Sequence, residues 1–134
     1  MKELDIAKKA VVEGGTLAFS FLDKEKHVRY KTKVDIVTDL DVRVENLIVS
    51  TLRASFPDYS IISEEHPPVS RDSEYTWIID PIDGTSSYVS HVPHFMSVVA
   101  LQKGKDLLFC VCFKPKPQQW LCVALPKAEP PVIV

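Results

Sequence analysis

Asp80 and Asp83 lie three residues apart, with Pro81 and Ile82 between them and Gly84, Thr85 and Ser86 directly after. Carboxylates held this close repel each other unless positive charge sits between them, and a hard divalent cation with oxygen ligands supplies it. If Gly84, Thr85 and Ser86 open a helical turn, their amides point free N–H groups at an anion such as phosphate. Cation and phosphate chemistry would then meet on one turn. The same string has a plainer reading, because Asp, Pro and Gly are also the residues of an ordinary polar turn between strands.

Three elements would have to position these groups. Trp77, Ile78 and Ile79 form a short apolar run with strand-forming residues, so the strand is predicted to end at Asp80, with Pro81 stopping the ladder. Gly84 allows a close backbone approach that a side chain would block. Ser60 to Ser63 reads as a second strand, delivering Glu64 and Glu65 at its end, although adjacent acids in such a place are commonly just solvated. Asp35 to Asp41 closes an extended piece and opens a helix, with Thr38 as N-cap and Asp41 at the third helical position. Capping alone would account for Asp41. Val42, Val44, Leu47, Ile48, Thr51, Leu52 and Phe56 continue the apolar face of that helix until Pro57. On these residues Glu64, Asp80 and Asp83 arrive from two strand ends and can converge on Mg²⁺.

The rest of the chain reads as scaffold. Leu4 to Leu22 has a helical period interrupted by Gly14 and Gly15, which suggests a close crossing with another element. Val28 and Tyr30 suit a short strand. Phe95 to Leu101, Leu107 to Phe113 and Trp120 to Ala124 read as strands, the first two joined by a hairpin turn at Lys103-Gly104-Lys105. Cys110 and Cys112 share one strand face and are expected to be small core residues rather than a metal site. His91 and His94 are read as solvated or capped imidazoles. The expected division is one α+β domain over residues 1–124 and an irregular tail over 125–134, where Pro126, Pro130 and Pro131 oppose regular structure.

With 134 residues, 46% hydrophobic and 25% charged, the chain is one ordinary globular domain. A net charge of -2 gives no electrostatic case for nucleic acid or an anionic membrane surface. No signal-peptide pattern and no membrane-spanning run is evident, so a cytoplasmic location is the expectation. Between Asp35 and Asp83, however, eleven of the eighteen acids face only three bases. An anionic substrate would need a bridging cation there.

Taken together, the segments Asp35-x-Val37-Thr38-x-x-Asp41, Glu64-Glu65 and Trp77-Ile78-Ile79-Asp80-Pro81-Ile82-Asp83-Gly84-Thr85 resemble the motif set of the inositol monophosphatase family of Mg²⁺-dependent phosphatases. The resemblance covers Leu4 to Ala124 and only the front half of the family fold. It implies two N-terminal helices on a mostly antiparallel sheet, the first half of an αβαβα sandwich. It also implies metal ligation by Glu64, Asp80, Asp83 and the Ile82 carbonyl, with Glu65 in support. Asp41 and Thr85 would orient an attacking water, and Gly84, Thr85 and Ser86 would hold the phosphate of a small ester such as inositol monophosphate. Lys31 or Lys33 would stand for a lysine that often precedes the Asp35 position. Ser86-Ser87 replaces the Thr-Asn frequent in the family, and the later aspartate that binds a second metal has no counterpart. A second reading is therefore a catalytically incomplete family member, acting as a structural module or through a homodimer surface.

Overall fold

The computed structural model describes residues 1–31, 36–116, 119–125 and 132–133. Helix α1 spans Lys2–Ser20 and helix α2 spans Asp39–Ser55. Strands β1 (Val28–Tyr30) and β2 (Ile36–Thr38) form a small antiparallel ribbon leading into α2. The remaining strands are β3 (Ser60–Ser63), β4 (Tyr75–Asp83), β5 (Met96–Lys103), β6 (Asp106–Lys114), β7 (Trp120–Ala124) and β8 (Val132–Ile133), with the short helix α3 (Thr85–Val89) between β4 and β5. They make a six-stranded sheet in the order β3-β4-β5-β6-β7-β8. Only the β3–β4 pair is parallel. The fold is α+β, as the sequence predicts.

Both long helices pack on one face of this sheet. Alternation along the strands turns Trp77, Ile79, Val99, Leu101, Phe109, Val111 and Phe113 toward them, and all seven are buried. The two glycines of α1 explain how closely the layers meet. A Cβ on Gly15 would lie 2.5 Å from the Phe113 ring, and one on Gly14 would lie 2.8 Å from Ile48 of α2. The close crossing foreseen at these glycines is thus with the sheet on one side and with α2 on the other.

Three expectations need correction. Strand β4 does not stop at Asp80. It runs on to Asp83 through a bulge, with Asp80 opposite Val98 and Asp83 opposite Met96. Pro81 gives up only its own amide bond, and its carbonyl accepts the buried Ser97 hydroxyl at 2.7 Å, so the strand bends without ending. Cys110 and Cys112 do not enter the core: they are half-buried on the sheet face away from the helices, because Phe109, Val111 and Phe113 take the inward positions. Val132–Ile133 pair with β7 in a region expected to be irregular. Prolines forbid a ladder only where they stand, and Pro126, Pro130 and Pro131 themselves lie outside the described residues, as do Lys33 and Asp35.

Candidate functional site

Helix α2 begins with the capping box that the Thr38/Asp41 spacing predicts. Leu40 and Asp41 amides donate to Thr38 Oγ1, and the Thr38 amide donates to Asp41 Oδ2 at 2.9 Å. The Thr38 hydroxyl also donates to Asp41 Oδ2, at 2.6 Å. That leaves Oδ1, which accepts from the Thr85 hydroxyl at 3.1 Å. Asp41 thus both completes the helix cap and contacts Thr85, one oxygen serving each. Asp41 is 2% exposed, so neither bond competes with bulk water.

Thr85 also lies 3.1 Å from the Ile82 carbonyl oxygen. Its single hydroxyl proton serves one acceptor at a time, so Asp41 and Ile82 share it. Between them Gly84 turns the chain with φ at 101°, and a Cβ there would lie 2.7 Å from the His94 carbonyl oxygen. Glycine is required at this point on both grounds, conformation and space. Helix α3 then starts at Thr85, as expected, and is tied down from behind: the buried Tyr88 hydroxyl donates to the Ala18 carbonyl at 2.7 Å. His91, with φ at 61°, has its ring Nδ1 2.7 Å from the Leu22 carbonyl, and His94 Nδ1 accepts from Lys114 at 3.3 Å. Both imidazoles are thus engaged in structural contacts.

Because β3 and β4 run parallel, their C-terminal ends deliver acids to the same edge of the sheet. Asp41, Glu64, Glu65, Asp80, Ile82, Asp83, Gly84, Thr85, Ser86 and Ser87 line one open cleft of about 290 Å³ together with Lys31. The residues named from the sequence for cation, water and phosphate, Asp41, Glu64, Glu65, Asp80, Ile82, Asp83, Gly84, Thr85 and Ser86, are all in its lining. Lys31 pairs with Glu65 at 3.0 Å, which takes up Glu65 and leaves Glu64 beside Asp80 and Asp83. Burial pushes the Asp80 carboxyl up to about 7, and the neighbouring charges of Asp83, Glu64, Asp41 and Glu65 add to it. Burial likewise raises Glu65, against the lowering effect of Lys31.

Such a donor set fits a hard divalent cation. It is made of carboxylate and carbonyl oxygens, and its lining sets five carboxylates, Asp41, Glu64, Glu65, Asp80 and Asp83, against Lys31, so mutual repulsion dominates. Among the described residues no three acidic, histidine or cysteine side chains already stand at chelating distance. The carboxylates share the cleft without yet closing on a common point.

Two site-adjacent residues escape the sequence reading. Glu45, one turn after Asp41, is fully buried and accepts the Glu65 amide at 2.9 Å. Its other oxygen pairs with the His66 ring. The signal was available in the spacing: Asp41, Glu45, Ile48 and Leu52 fall on one face of α2, and an acid among apolar positions on a buried face needs a partner.

The family model described as "Inositol monophosphatase family" matches residues 1–125. This chain belongs to the inositol monophosphatase family. The Nus factor SuhB of Vibrio cholerae is 39% identical over 112 residues, covering 81% of this chain and 42% of that protein. The inositol monophosphatase of Dictyostelium discoideum is 33% identical over 105 residues, covering 76% and 39%. Among solved structures, the Thermotoga maritima IMPase superposes with a TM-score of 0.87 at 29% identity, over 99% of this chain and 51% of that one. The SuhB protein of Bartonella henselae gives a TM-score of 0.90 at 21% identity, which speaks to the fold alone. The chain spans about half the length of the relatives it matches.

Proposed function

We propose that this chain carries the metal- and phosphate-binding half of a Mg²⁺-dependent phosphomonoesterase acting on inositol monophosphate or a similar small phosphate ester. The observation that carries this reading is the convergence of Asp41, Glu64, Asp80, Asp83 and the Gly84–Ser86 turn on a single cleft. Glu64, Asp80, Asp83 and the Ile82 carbonyl are the groups that would hold the cation. When bound, Mg²⁺ supplies the charge that lets an anionic ester approach and makes water a competent nucleophile at neutral pH. The amides of Gly84, Thr85 and Ser86 donate to the phosphate oxygens, while the Asp41–Thr85 pair accepts a proton from the attacking water and fixes its direction. Asp41 can do this because its second oxygen is already committed to the helix cap, so its carboxylate cannot rotate away.

A second reading, a module that acts through an interface, is supported by apolar side chains left partly exposed, among the described residues, on the sheet face away from the helices. Ile62 is 48% exposed there, and Cys110, Cys112 and Cys122 are half-buried. Titration of Mg²⁺ and Mn²⁺ into the chain by calorimetry, with Asp83→Asn as the matched control and inositol monophosphate added last, separates the two. Saturable binding that the variant loses supports the phosphatase reading. Equal heats from both proteins would sink it and favour the module.

A further inference from the structure

We propose that Glu45 is a positioning residue for the acid cleft, fixing the Glu64–Glu65 turn in register with the Asp80–Thr85 turn. The inference rests on the cleft reading above. It adds the device that sets the distance between the two strand ends.

The geometry is that of one helix measuring two strands. The first turns of α2 carry two buried acids four residues apart. Asp41 reaches the end of β4 through Thr85, and Glu45 reaches the end of β3 through the Glu65 amide. Four helical residues advance about 6 Å, so one turn of α2 separates the two anchoring carboxylates along the helix. Neither contact is local in sequence: Asp41 bridges 44 positions to Thr85, and Glu45 bridges 20 to Glu65.

Glu45 is an unusual residue for its place. It is 0% exposed, beside the core residues Val44 and Ile48. A buried carboxylate is costly unless it is fully bonded, and an apolar residue of the same volume commonly serves stability at least as well. Here both oxygens are used on the residues directly after β3: Oε1 on the Glu65 amide and Oε2 on the His66 ring. The backbone from Glu64 to His66 is thereby held by α2 rather than by a sheet ladder, which has ended at Ser63. With Lys31 drawing the Glu65 carboxylate aside, the Glu64 side chain remains the one presented to Asp80 and Asp83. A groups-behind-the-ligands arrangement of this kind usually governs affinity by orientation, and its loss commonly weakens metal binding by about 10–100-fold.

The test compares the parent chain with Glu45→Met, which fills the buried site without an acceptor, and Glu45→Gln, which keeps an acceptor for the Glu65 amide. Two readouts are taken: exchange of the Glu65 amide proton by NMR, and Mg²⁺ affinity by calorimetry. Expected are a protected Glu65 amide in the parent and in Glu45→Gln, its loss in Glu45→Met with α2 amides unchanged, and Mg²⁺ binding about tenfold weaker or worse in Glu45→Met but restored in Glu45→Gln. Parent-like Mg²⁺ affinity in Glu45→Met would overturn the proposal. An unprotected Glu65 amide in the parent would do so as well. If the parent takes up no Mg²⁺, the phosphatase reading of the chain fails on that readout alone. Amide exchange then decides the positioning role by itself, for or against, according to whether Glu45→Met alone frees the Glu65 amide.

Discussion

Replacing Gly84 by Ala tests how tightly the turn between the acids is built, and Gly104→Ala provides the matched control. Both glycines have positive φ, 101° and 59°. Each substitution removes a similar amount of unfolded-chain freedom, so that contribution cancels in the comparison. Gly104 lies in the left-handed well and a Cβ there meets nothing within 4 Å, so Gly104→Ala carries only the conformational penalty, about 1 kcal/mol. Gly84 lies at the high-φ side of the left-handed region, with φ at 101° and ψ at 40°, and its Cβ would press on the His94 carbonyl oxygen at 2.7 Å and on Phe95 Cα at 3.4 Å. Relief would require moving the backbone ahead of β5, where Phe95 is 1% exposed and packed against Tyr88. Backbone strain of about 1–3 kcal/mol plus overpacking of about 1–3 kcal/mol gives a total of about 4 kcal/mol at mid-range, about 3 kcal/mol beyond the control. Equilibrium urea unfolding of the three proteins reads the difference directly. Equal losses for the two variants would refute the claim that space as well as φ demands glycine at position 84.

Thr85→Val removes the hydroxyl that bridges Asp41 and Ile82 but leaves the helix cap whole, so a loss of about 1 kcal/mol is expected in urea unfolding. Asp41→Ala strips the reciprocal half of the capping box and the bridge to Thr85 while Thr38 still caps the helix, and should cost about 2 kcal/mol in the same assay. Gly15→Ala should destabilise by about 1–2 kcal/mol, since overpacking against the buried Phe113 ring exceeds the gain in helix propensity; a Phe113→Leu background should shrink that loss. The Cys110 thiol is held below its usual range by a hydrogen bond from Cys112, against the opposing effect of burial. Its alkylation by iodoacetamide should therefore rise at lower pH than that of an ordinary thiol, as followed by mass spectrometry, and Cys112→Ala should move the profile back up in pH.

The sequence by itself determined which residues line the cleft and most of their local frame. Apolar runs ending in acids, a threonine-aspartate cap and a glycine before a threonine are short-range signals, and each reflects what one residue's backbone or side chain can do alone. They yielded α1, α2, the strand pattern and the residues of the cleft. What failed were statements about neighbours. Whether Pro81 ends a strand depends on the acceptor and donor across the sheet, and Ser97 supplies a partner that no local reading of the proline contains. Which face of β6 is buried depends on where α1 lies, and the fit of Phe113 against Gly15 settled that in favour of the aromatics and against the cysteines. The parallel pairing of β3 with β4 placed Glu64 beside Asp80 and Asp83, and one turn of α2 set Asp41 and Glu45 against the two strand ends. Those contacts link residues 16 positions apart, as Ser60 with Thr76, to 44 apart, as Asp41 with Thr85, so only the folded chain could decide them.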